Sequence, residues 1–110
     1  MSILSNDIKD KIAQQAATLA ESTFTGFVKQ AVQDSQTFVQ QTENDLATWL
    51  QDLKQGDITQ KNFESLVRGT KDLAEMRTLK QAGLGRVAID TFLNGLIQIV
   101  INVALSSIHV

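Results

Sequence analysis

Cysteine, proline and tyrosine are absent from the 110 residues, and tryptophan and histidine occur once each, as Trp49 and His109. Lack of cysteine excludes disulfides, thiolate metal sites and a cysteine nucleophile, and leaves the redox compartment unmarked. Lack of proline removes the strongest helix breaker from every position. Glycine is sparse until the later half. Formal charge disappears after Asp90 if His109 is neutral. What remains is a chain with 43% hydrophobic and 20% charged residues, ordinary for a folded soluble protein. Its length suits one domain over residues 1–110 with a modest core. An all-α fold is expected.

The start, MSILSNDIKDKIAQQ, does not read as a signal peptide, because acids and amides interrupt any apolar run within a few residues. A cytoplasmic location is expected, with export lacking a cleaved signal left open. Net charge is −2 but uneven: residues 1–57 hold four bases against eight acids, and residues 58–86 six bases against three acids. A basic segment packed along an acidic one explains this. A nucleic-acid patch over 61–86 is the sharper alternative, weakened by interleaved Glu64, Asp72 and Glu75 and by the lack of stacking aromatics.

Ser5 or Asn6 can cap a first helix, with Asp7 in its first turn. Apolar and small residues then recur at Ile8, Ile12, Ala16, Leu19, Thr23, Phe27, Ala31, Ser35, Phe38, Thr42, Leu46, Trp49 and Leu53. From Phe27 onward the steps follow an eleven-residue period, which keeps one face along a nearly straight helix. A helix over about 6–54 is expected, about 70 Å long if unbroken. Ser22, Thr23, Thr25 and Gly26 are poor helix formers and mark a candidate break near 22–26. Gly56 fits the left-handed position that ends a helix, and Asp57 or Thr59 can cap the next.

The spacing of Phe63, Leu66, Thr70, Leu73 and Met76 predicts a second helix over about 60–82, with Gly69 marking close packing against the first. Glu64 and Arg68 stand at i,i+4 in the favourable order. Gly83 and Gly85 bracket Leu84 as a hinge. A fold-back at Gly56 would set residues 83–86 beside 27–30, and residues 22–26 beside 87–91. The chain is then either a long helical hairpin or, folded again at that height, a compact bundle of three to four helices.

The stretch from Gly83 to Val110 dominates the energetics. Between Thr91 and Val110 it carries eleven large apolar side chains. Each is worth roughly 1.5–3 kcal/mol when buried. Together they outweigh the roughly 5–15 kcal/mol net stability of a typical domain, so something must cover them. As a strand, Ile97, Ile99, Ile101, Val103 and Leu105 would share one face. As a helix over 86–107, the polar residues Asp90, Asn94, Gln98, Asn102 and Ser106 form one oblique stripe. The sustained four-residue spacing favours the helix.

Chemistry is thin. His109 is penultimate and expected to be exposed, no histidine or carboxylate cluster has metal-ligand spacing, and no nucleotide-loop or hydrolase motif occurs. No cofactor, metal or catalytic residue is expected, and the chain reads as a non-enzyme. Trp49 is either a partner anchor or a filler of the apolar stripe near the mid-chain turn. In size, low proline and a mid-chain turn the chain resembles the small secreted helical hairpins defined by a Trp-x-Gly motif. It departs from them at the motif itself, since Leu50 and Gln51 follow Trp49.

A buried amide row fixes register and oligomer number, whereas an exposed one is a solvent-facing stripe. The leading expectation is a helical interaction protein, with coiled-coil-like packing, that self-associates through Phe92, Asn94, Leu96, Gln98, Ile99, Asn102 and Val103 and completes its bundle as a homo-oligomer. A protein partner is the related option. The alternative is conditional membrane insertion or pore formation by the same segment, whose length suffices for a bilayer. Its amides would then sit in hydrocarbon or line a pore.

Overall fold

The structure is a computed structural model that describes residues 5–24 and 26–108. It is all-helical, with no strand among the described residues. Helix α1 spans Asn6–Thr23, α2 Val28–Gln55, α3 Gln60–Gly69, α4 Arg77–Gln81 and α5 Arg86–Ile108, with a 3-10 turn at Thr70–Leu73. The C-terminal stretch is therefore helix over its described length. His109 and Val110 lie outside the described residues.

The N-terminal stripe breaks at the weak point. Ser5 caps α1, its Oγ accepting from the Ile8 amide at 3.2 Å. At the other end Phe24 is extended and buried, its ring 5.4 Å from Phe92 and 6.3 Å from Phe27. A poor helix-forming cluster costs little to break, and the aromatic contacts fix where the break falls. Helix α1 then runs back along α2, where Lys9 meets Glu43 at 2.9 Å.

Inside α2 the stripe behaves as its spacing requires. Ala31, Ser35, Phe38, Thr42 and Leu46 are all buried. The two hydroxyls satisfy themselves within the helix: Ser35 donates to the Ala31 carbonyl at 2.7 Å and Thr42 to that of Phe38 at 2.9 Å. That local bonding lets polar side chains sit in an apolar seam without a lost hydrogen bond. Trp49 is half-buried against the core. Gly56 ends α2 at φ 80°, with its own amide and that of Asp57 closing on the Leu53 and Asp52 carbonyls. Of the two candidate caps for α3 it is Thr59 that serves, in a reciprocal capping box with Asn62.

The expected helix over 60–82 does not form as one element. α3 stops at Gly69, a 3-10 turn follows, and Met76 adopts a left-handed conformation at φ 49° before the short α4. The buried side is Phe63, Val67, Thr70, Met76 and Leu79, while Leu66 and Leu73 are exposed. The 3-10 turn advances fewer residues per turn than an α-helix and rotates the later positions away from the expected face. Gly69 is also corrected: it is exposed, and a Cβ there would meet nothing within 4 Å. It ends a helix and admits no close neighbour.

Gly83, at φ 96°, closes α4; its amide and that of Leu84 bond back to Lys80 and Leu79. α5 then packs on α1, α3 and, more lightly, α2, while α3 and α4 lie on α2. One continuous core results, drawing on every helix. The molecule measures 43 × 25 × 24 Å, so α2, at 28 residues, spans its length.

Candidate interaction surface

α5 is divided along its length. Ile89, Phe92, Leu93, Leu96, Ile97, Val100, Ile101, Val103 and Ala104 are buried inside the chain. On a helical projection these positions fill one half of the cylinder. The other half carries exposed Val87, Thr91, Asn94, Asn102 and Ser106, with Gln98, Ile99 and Leu105 half-buried. The seven residues expected to share an interface are thus separated. Phe92, Leu96 and Val103 point into the chain's own core and are occupied there. Asn94, Gln98, Ile99 and Asn102 remain on the outward half. The sequence showed the amide stripe but not which flanking apolar residues the chain itself would cover.

The outward half is tied down by a polar chain. Arg68 of α3 donates to Gln98 Oε1 at 2.8 Å, and Gln98 Nε2 donates to Asn102 Oδ1 at 3.0 Å. Glu64 stands 4.0 Å from Arg68. Gln98 is therefore held in one orientation by charge-assisted and neutral bonds in series. On the far edge, Gly95 lets α1 approach: a Cβ at that position would lie 2.7 Å from Leu19 Cδ2.

Charge sets this face apart. Exposed residues on α1 include Asp7, Asp10, Lys11 and Glu21; on α2, Lys29, Asp45 and Lys54; on α3, Lys61 and Arg68. On α5 no ionisable side chain follows Asp90 through Ile108. A solvated helix face ordinarily mixes charges of both signs. The basic residues of the middle segment, by contrast, are distributed among acids. Arg77 pairs with Glu75, and a groove of about 370 Å³ brings Lys80 and Arg86 together with Glu75 and Asp90.

One site residue had no place among the sequence expectations. Asp34, buried on α2, accepts from the Thr78 amide at 3.1 Å and the Leu79 amide at 2.8 Å. It caps α4 from another helix, where the Met76 side chain offers no cap hydrogen bond. The first-turn amides of a helix have no intrahelical partner, and a carboxylate satisfies two at once. The available signal was its spacing, three residues after Ala31 and four before Phe38, which places a carboxylate on the buried face.

Among the described residues no group of three or more His, Asp or Glu stands where it could hold a metal. Comparison with protein-family models, with curated proteins and with solved structures finds no match for this chain.

Proposed function

We propose that the protein is a non-enzymatic helical interaction protein that self-associates through the outward half of α5. The observation that carries this reading is the uncharged strip from Thr91 to Ile108, in which exposed amides lie beside half-buried Ile99 and Leu105. Amides both donate and accept, so a second amide-bearing surface satisfies them without charge complementarity. The side chains of the strip carry no charge of their own, and the one cation bonded to it, Arg68 on Gln98, stands 4.0 Å from Glu64. The interface is narrower than the seven-residue set, since the chain's own core uses Phe92, Leu96 and Val103. Sedimentation velocity over a range of concentrations tests the reading: a concentration-dependent dimer supports it, and a monomer at high micromolar concentration refutes it.

A second reading is conditional insertion of α5 into a membrane. It is favoured by α5 being, among the described residues, the single helix long and apolar enough to cross one. Half of its most apolar stretch is buried inside the chain, so α1 and α3 would have to part first. Core helices of soluble proteins share this property, and the exposed Asn94 and Asn102 would carry amide side chains into hydrocarbon. Flotation with anionic lipid vesicles separates the readings: co-migration with lipid and dye release supports insertion, and no lipid association excludes it.

A further inference from the structure

We infer that Ile97–Val103 is a latent strand: helical in the folded chain, it stacks copy on copy as cross-β once its cover by α1 and α3 is lost. Two periods are written over the same residues. Polar side chains every four positions suit the helix, whereas Ile97, Ile99, Ile101 and Val103 alternate with Gln98, Val100 and Asn102. As a strand the segment would set four β-branched side chains on one face. The opposite face would carry the Gln98 and Asn102 amides, which stack on their own copies as ladders. Five of the seven residues are β-branched, a type that fits a strand better than a helix.

Charge that would keep copies of the segment apart is missing. The seven residues have none, the nearest before them is Asp90, and none follows through Ile108. No glycine or proline interrupts the run. Segments of this composition are ordinarily flanked by charges or prolines that block stacking. Here the fold supplies the protection. Ile97, Val100, Ile101 and Val103 are buried on the inner half of α5, which packs on α1 and α3. On the outer half, Arg68 donates to Gln98 Oε1 at 2.8 Å, a cation held on the segment only while α3 stays in place. Opening the bundle removes the cover and that charge together.

The test incubates the full chain with agitation at urea concentrations spanning its unfolding transition, beside Asn102→Lys and Asn44→Lys. Both asparagines are exposed; the first lies in the segment and the second on α2. Comparison at equal fraction unfolded removes any difference in stability. The unaltered chain and Asn44→Lys should form thioflavin-positive fibres with a strand spacing of about 4.7 Å. Asn102→Lys should form them about tenfold more slowly, because one lysine per copy lines the stack with like charge. Hydrogen exchange on the fibres should protect residues 97–103. Chain that stays soluble at every urea concentration would overturn the inference, as would equal rates for the two lysine variants or a protected core elsewhere. Sedimentation without urea reports native self-association separately: a native monomer that forms these fibres still supports the latent strand.

Discussion

The segment from Gln60 to Gly85 and helix α5 occupy the second half of the chain, and they reach order by opposite routes. α5 is a regular helix of 23 residues whose inner half supplies nine buried side chains to the core. The preceding segment is broken into a ten-residue helix, a four-residue 3-10 turn and a five-residue helix, with a left-handed Met76 between them. Apolar burial holds α5. The broken segment depends instead on Asp34, reached from across the fold, together with buried Met76 and Leu79. A long apolar helix specifies itself through its own pattern, whereas a short polar one takes its shape from a distant partner.

The largest effect that would test this contrast lies on the inner half of α5. Phe92→Ala removes a fully buried ring that packs on Phe24, and should cost about 3–5 kcal/mol in urea unfolding. Val87→Ala, on the same helix but 82% exposed, should change stability by less than about 0.5 kcal/mol. Equal effects would erase the two-faced description.

Next comes Asp34→Ala, which leaves the Thr78 and Leu79 amides without their acceptor and should cost about 2 kcal/mol. Its diagnostic readout is hydrogen exchange: protection should fall over residues 74–84 while the centre of α5 keeps its own. Asp34→Asn retains one amide oxygen and should lose less. Uniform loss of protection across the chain would mean that α4 is not a separately held piece.

Much of this architecture was legible in the residues, for identifiable reasons. The break near 22–26, the left-handed Gly56 and the closing Gly83 fall at residues whose local chemistry disfavours helix, although the packing of Phe24 on Phe92 fixes where the first of them falls. The failure over 60–82 is equally instructive. Phe63, Leu66, Thr70, Leu73 and Met76 have helical spacing, yet Leu66 lies off the face of α3 that buries Phe63 and Val67, and Leu73 is exposed where the chain leaves α-helical geometry after Gly69. Nothing local announces Asp34 as the cap of a helix more than forty residues away. The same limit applied to α5: its amide stripe was visible, but the partition of Phe92, Leu96 and Val103 to the inside depends on where α1 and α3 sit.

Two smaller effects sharpen the comparison. Gly83→Ala should cost about 1 kcal/mol, because a side chain at φ 96° is strained even in open space. Gly95→Ala should shift unfolding by less than about 0.5 kcal/mol: the gain in helix propensity is offset by displacing Leu19, a half-buried side chain with room to turn. Thermal melts of the two variants side by side check both values. If Gly95→Ala were the more damaging, the seam between α1 and α5 would be tighter than the exposure of Leu19 implies.

The central claim is that the outward half of α5 joins two copies while its inward half holds one. Sedimentation of the Asn94→Lys/Asn102→Lys double variant beside the unaltered chain tests it most directly. Both positions are exposed and Asn102 gives up only its bond from Gln98, so the variant should stay folded, yet each copy would bring two added cations to the face where the copies meet. The account predicts a dimer for the unaltered chain and a folded monomer for the variant. A variant that dimerises as well as the parent would contradict it.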